Sequence, residues 1–161
     1  METKFEKDPS GKKLIVKRDF NGPLSKVWQA WTDSALLDRW WAPKPYRTET
    51  KSMRFAEGGS WLYAMVGPKG DKHWCKAEYQ TIEPQKSITH LNAFSDEEGN
   101  TVSTPPAHQW KTDFESIPTG TRVTVVLTFD TGADLDTIIA MGFKEGFTAA
   151  LGNLDEVLAE I

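Results

Sequence analysis

Few residues in this chain can move a proton near neutral pH. The three histidines are His73, His90 and His108, and imidazole titrates in that range. His108 shares a strand phase with Trp110 and Phe114, and His90 shares one with Ile88 and Phe94. If both phases face inward on neighbouring strands, two imidazoles enter one apolar space. The alternative for each is a hydrogen-bonded or solvent-facing strand histidine. His73 stands beside the Gly70-Asp71 turn and is expected in solvent. Glu78 lies in phase with Trp74, Lys76 and Ile82. Facing inward, it would meet apolar walls that oppose its ionisation, and it could act as a base or bind a ligand hydroxyl. Facing outward, it is merely solvated. Tyr63 adds a hydroxyl and Trp110 an indole N–H, handles that need partners when buried. Cys75 falls in the phase opposite Glu78 and reads as a small packing residue rather than a nucleophile.

Other chemistries lack their signatures. No His-x-x-x-His, His-Glu-x-x-His or cysteine pair is present, so no metal site is expected. Gly58-Gly59 is not followed by the Lys-Ser/Thr of a phosphate loop, and there is no Gly-x-Gly-x-x-Gly or Gly-x-Ser-x-Gly. The run Ser95 to Asn100 is acidic but lacks the spaced ligands of a calcium loop. No cofactor is implied.

Aromatic side chains are the more promising resource. Trp61, Tyr63 and Met65 alternate on one predicted strand, Trp110 and Phe114 on another, and Phe143 and Phe147 lie on a helical stripe. These faces should converge, either as plain core or as walls of a cavity for a flat apolar ligand. Trp28 and Trp31 are expected to cover one end of the sheet. Trp40 either packs under the following loop or rims a cavity mouth with Trp41, Ala42 and Pro43. An adjacent aromatic pair does not easily point both rings inward, so one of Trp40 and Trp41 is expected to be exposed or at an interface.

The elements that position these residues follow from periodicity. Lys12 to Phe20 reads as a strand, broken by Asn21-Gly22-Pro23. Leu24, Val27, Trp28 and Trp31 have helical spacing, and Asp33 or Ser34 can cap a second short helix, Ala35 to Trp41. From Tyr46 to Phe129 the period is two. Strands are expected at 47–55, 61–66, 72–82, 86–94, 107–117 and 121–129, divided by turns such as Gly67-Pro68-Lys69-Gly70. The helical period then returns, and Thr131 or Asp134 can start one long helix running to Ile161. Leu135, Ile139, Phe143, Phe147, Ala150, Leu154, Val157, Leu158 and Ile161 form its apolar stripe. Gly142, Gly146 and Gly152 within it imply either close packing against the sheet or room for a ligand. The pattern is α+β: a curved antiparallel sheet of about six to seven strands around a long C-terminal helix, with two short helices after the first strand. One helix cannot fill a broad concave sheet, so a cavity between them is expected.

Composition bounds the rest. With 161 residues, one domain spanning 1–161 is expected, with residues 1–11 as a flexible arm. Apolar residues at 39% and aromatics at 11% exclude a disordered chain. A formal charge of −4 argues against nucleic-acid binding. No apolar run reaches the ~20 residues that cross a bilayer, so membrane insertion is not expected. A single cysteine and no apolar leader segment point to the cytoplasm.

Several short motifs carry a family resemblance in order and spacing. They are Arg18-Asp-Phe20 with Pro23, Val27-Trp-Gln-Ala-Trp-Thr-Asp33 with Leu37, and Trp40-Trp41-Ala-Pro43. Met53-Arg54, Gly58-Gly59-Ser-Trp61, Gly67-Pro68, Ile82-Glu-Pro84 and Thr121-Arg-Val-Thr-Val125 follow. Met141-Gly-Phe143 and Glu145-Gly146 then precede a Leu-rich helix. Over roughly Arg18 to Leu158 the chain resembles the bacterial homologues of the activator of the 90-kDa heat-shock protein ATPase, within the START-like (SRPBCC) helix-grip superfamily. The family often has Trp where Phe143 stands, and the arm and the loop Ser95 to Thr104 carry no family motif. The resemblance implies a helix-grip fold whose apolar cavity binds a hydrophobic small molecule or lipid. Candidate cavity residues are Trp40, Trp61, Tyr63, Met65, Glu78, His90, His108, Trp110, Phe114, Phe143 and Phe147. Relatives that cyclise or aromatise polyketides imply an alternative: an enzyme using His90, His108, Glu78 or Tyr63 as acid or base. A chaperone partner is the third implication, and composition leaves a homodimer open, through a sheet edge or the Trp40-Trp41 turn.

Overall fold

The computed structural model describes residues 2–103 and 106–161. Met1 of the arm, Thr104 at the end of the Ser95 to Thr104 loop, and Pro105 lie outside the described residues. The elements in chain order are β1 (Lys4–Lys7), β2 (Lys13–Phe20), α1 (Leu24–Thr32), α2 (Ser34–Trp40), β3 (Arg47–Met53) and β4 (Ser60–Val66). They continue with β5 (Lys72–Glu83), β6 (Ser87–Phe94), β7 (His108–Ile117), β8 (Gly120–Thr128), α3 (Gly132–Ala140) and α4 (Phe143–Glu160). The strands form one antiparallel sheet in the order β1-β2-β8-β7-β6-β5-β4-β3.

The sheet has eight strands, rather than the six to seven expected from periodicity. The addition is β1, which occupies part of the anticipated flexible arm. It is too polar to announce itself, with Phe5 as its one apolar side chain between Lys4 and Glu6. Backbone pairing with β2 sets it in register, Phe5 opposite Val16. Lys7 also ties it to Asp136 of α3 at 2.6 Å.

The two short helices form as their sequence directs. Pro23 stands at the N-cap of α1 in extended conformation, and the Asp33 carboxylate caps α2 by accepting from Ala35 N at 2.9 Å. The expected long terminal helix is two helices. Thr131 caps α3 through Asp134 N at 3.1 Å, and the chain turns at Met141-Gly142 before α4 begins. Gly142 has φ +92°, a left-handed conformation that glycine adopts without penalty. Periodicity misses the break because both helices keep apolar residues on the sheet side.

Alternation on β2 and β8 sends Leu14, Val16, Phe20, Val123, Val125 and Leu127 into the core, where Leu151, Leu154 and Leu158 of α4 meet them. Arg18 sits in this same row, and its guanidinium pairs with both oxygens of Asp155 on α4, at 2.8 and 2.6 Å. This end is solidly filled. The space between sheet and helices opens toward β4–β7 and the α3–α4 elbow.

Candidate functional site

A cavity of about 250 Å³ lies there. Its sheet wall is built from Tyr63 and Met65 of β4, Cys75 of β5, Asn92 and Phe94 of β6, and His108 and Trp110 of β7. Ile138, Met141 and Gly142 of the elbow, with Phe143, Gly146 and Phe147 of α4, form the opposite wall. Trp41 and Pro43 complete the lining. For scale, a cavity of about 150 Å³ holds benzene. Met141 lines this cavity while 56% exposed, which places its opening at the elbow.

Trp41 is the hub of the aromatic wall. Its ring lies 5.4 Å from Trp61, 5.7 Å from Trp110 and 6.2 Å from Phe147. Trp110 meets Phe143 and Phe147 edge-on at 5.9 and 5.4 Å, geometry that matches positive ring edges to negative faces. Trp40 and Trp41 are both buried, against the expectation that one would be exposed. They close the C-terminal end of α2, where a step of about 100° per residue lets neighbouring rings flank Trp31 from two sides. Trp40 is core rather than cavity wall, its indole donating to Ala30 O at 2.9 Å.

The polar atoms are largely committed to one another. Trp41 Nε1 donates to the Tyr63 hydroxyl at 3.0 Å. Trp110 Nε1 donates to His108 Nε2 at 2.9 Å, and His108 Nδ1 faces Pro106 O at 3.3 Å. An indole N–H only donates and a carbonyl only accepts, so His108 carries its proton on Nδ1. Burial pushes the His108 pKa down to about 4 and that of the Cys75 thiol up to about 12. Burial also raises the Tyr63 hydroxyl well above its ordinary range. At neutral pH the wall is therefore uncharged.

Tyr63, Met65, His108, Trp110, Phe143 and Phe147 of the expected set line the cavity. The others do not. Trp61 stacks behind Tyr63 at 4.0 Å, and Phe114 packs under Trp28 and Trp31. His90 is buried beneath Trp110, stacked at 5.6 Å, and burial and the neighbouring His108 lower its pKa to about 3. Glu78 is on the outer face, 3.6 Å from Lys76. The cause is a bulge in β5: pairing with β6 runs Tyr79 to His90 and then Thr81 to Thr89, leaving Gln80 over. Ile82 returns to the inner face after that extra residue, so being in phase with Ile82 does not put Glu78 inside. Cys75, Ala77 and Tyr79 point inward instead. Of the four acid–base candidates, Tyr63 and His108 line the cavity, and His90 and Glu78 do not.

Sequence reasoning offered Trp41 only as part of a cavity rim, and it missed Cys75 and Asn92 as lining residues. Cys75 would follow from locating the bulge, and Asn92 from continuing the alternation His90, Asn92, Phe94 along β6. His73 is exposed as expected, 3.0 Å from Asp71. Among the described residues no group of three or more potential ligands could hold a metal ion, and no helix is long and apolar enough to cross a membrane.

Comparison with known proteins places this geometry. The family model for Activator of Hsp90 ATPase homolog 1-like protein matches residues 21–159. The chain belongs to that family. Similar solved structures include a protein from Arthrobacter aurescens, 28% identical, with a TM-score of 0.90 over 98% of this chain and 92% of that one. Protein Ms6760 from Mycobacterium smegmatis is 26% identical, with a TM-score of 0.88 over 98% and 97%. A Staphylococcus epidermidis protein is 28% identical, with a TM-score of 0.84 over 97% and 93%. A comparison with curated proteins returned no match. The α+β architecture of the chain is the START-like helix-grip fold of these neighbours.

Proposed function

We propose that this protein binds a hydrophobic small molecule in the cavity between the sheet and the α3–α4 elbow. The observation that carries the reading is the aromatic wall itself. Trp41, Trp110, Phe143 and Phe147 enclose about 250 Å³ next to an otherwise filled core. Packed interiors ordinarily leave few voids larger than a water molecule. Pockets with apolar, aromatic linings and a few placed polar groups are the usual form of a ligand site.

Titration with a neutral environment-sensitive fluorophore such as prodan, beside a lipid panel, tests this reading. Saturable binding at one molecule per chain is expected. Phe147→Asp, which puts a charge in the wall, should abolish it. Phe143→Asp does the same nearer the mouth, where Phe143 is only partly buried and the fold is less at risk. Absence of saturable binding across the whole panel would sink the reading.

A further inference from the structure

We infer that the cavity takes a compact aromatic molecule of one or two fused rings rather than a lipid chain. This rests on the cavity being a ligand site. The core is divided by side-chain type. Where β2 and β8 face α4, the filling is largely aliphatic, with Leu14, Val125, Leu127 and Leu154 among its fully buried members. Around the cavity, seven of the fifteen lining residues carry an aromatic ring, and Ile138 is the one branched aliphatic residue among those described. Ring faces are negative and ring edges positive, so a ring ligand gains offset and edge contacts that a saturated chain does not. Met65 and Met141 add thioether sulfurs, which also make favourable contacts with rings.

Size points the same way. A cavity of about 150 Å³ takes the six carbons of benzene, so one of about 250 Å³ takes about ten non-hydrogen atoms, the size of naphthalene. An acyl chain of about sixteen carbons needs about 400 Å³ on that scale. The excess would stay in water at the mouth, where it gains nothing from burial. A lipid's charged head would stay there too. No Asp, Glu, Lys or Arg lines the cavity among the described residues, so a carboxylate or phosphate drawn inside would lose water with no countercharge. Gly146 of α4 keeps part of the volume free. An added Cβ there would stand 3.7 Å from Pro43 Cγ, an ordinary contact between two lining residues.

Three uncharged probes separate shape from size on the unaltered protein: naphthalene, 1-nonanol, an open chain with as many non-hydrogen atoms, and phenanthrene, one fused ring larger. Each is titrated at pH 7 by tryptophan fluorescence and calorimetry, and each affinity is divided by the probe's octanol–water partition coefficient before ring and chain are compared. On that footing naphthalene should exceed 1-nonanol by about tenfold, the worth of one or two edge contacts. Phenanthrene, though more hydrophobic, should bind no more tightly than naphthalene in absolute terms. Gly146→Ala should weaken naphthalene by about tenfold, the effect of one methyl group too many in a filled site, and leave the smaller toluene unaffected. The position lies inside a helix without a positive φ, so alanine leaves the fold intact. Corrected affinity for 1-nonanol equal to that for naphthalene, tighter absolute binding of phenanthrene, or unchanged naphthalene affinity in Gly146→Ala would each overturn the inference and leave the binding cavity standing. So would saturable binding of a lipid without binding of naphthalene. No saturable binding by any probe or lipid would overturn both.

Discussion

Trp110 Nε1 donates a 2.9 Å hydrogen bond to His108 Nε2, two residues back on the same face of β7. A strand repeats its facing every second residue, so the pair is built into one strand. The bond exists only while Nε2 is unprotonated, and Phe129 stacks on the far side of the imidazole at 4.3 Å. Cross-strand from Trp110, His90 is stacked against the same indole with both its nitrogens buried and unpartnered among the described residues. The two histidines are held neutral by the same aromatic layer that walls the cavity.

This arrangement makes stability sensitive to mild acid. Folded-state values of about 3 for His90 and about 4 for His108 lie below the 6.5 of an unperturbed imidazole. Above pH 6.5 neither group opposes folding. As pH falls below 6.5 the unfolded chain takes up two protons that the folded chain does not. Stability should then drop by about 3 kcal/mol per pH unit between about pH 6 and 4. His90→Leu removes one of those protons, so its slope should be about half the wild-type value. It also deletes two unpaired buried nitrogens, so it should be as stable as wild type or more so at pH 7. Urea unfolding at pH 7, 6 and 5 measures both quantities, and equal slopes for the two proteins would refute the account.

The strand phases and cap residues that frame the cavity were legible because each is a local rule. Val123, Val125 and Leu127 alternate, and Asp33 and Thr131 precede helical runs that they cap. The Gln80 bulge was not legible, since one extra residue in a polar stretch leaves no compositional trace. That residue decided the facing of Glu78 and Cys75. The polar strand β1 was hidden for a related reason: its pairing is made by backbone atoms, which every sequence supplies. The cavity wall was legible only in part, because alternation places Trp61 and Tyr63 on one face but does not say which ring stands in front.

Arg18 and Asp155 tether the gripping helix to the sheet. The Arg18 side chain is 6% exposed and that of Asp155 43%, so the guanidinium is the member stranded when the pair is broken. Asp155→Ala should destabilise the fold by about 3 kcal/mol, the low end for an unpaired buried charge, because water still reaches the Asp155 side. Arg18→Met, which replaces the cation with an apolar chain of similar length, should change stability by about 1 kcal/mol or less, of either sign. Denaturant midpoints for the two variants decide it. If Arg18→Met proves as damaging as Asp155→Ala, the ion pair itself would be the source of stability and the buried charge would not be the cause.

Two glycines of the terminal helices should respond to alanine in opposite directions. At Gly142 an added Cβ finds only Glu145 Oε2, at 4.0 Å, so there is space, but φ is +92°. Gly142→Ala should therefore cost about 1–2 kcal/mol through backbone conformation alone. At Gly152, inside α4, an added Cβ meets nothing within 4 Å and φ is not positive. Gly152→Ala should stabilise by up to about 1 kcal/mol, the helix-propensity difference between the two residues. Thermal or urea unfolding of both variants gives the comparison. A neutral or stabilising Gly142→Ala would mean that the α3–α4 elbow is not held in the left-handed turn and that one continuous helix forms. That outcome would remove the elbow wall, and with it the shape of the cavity on which ligand selection depends.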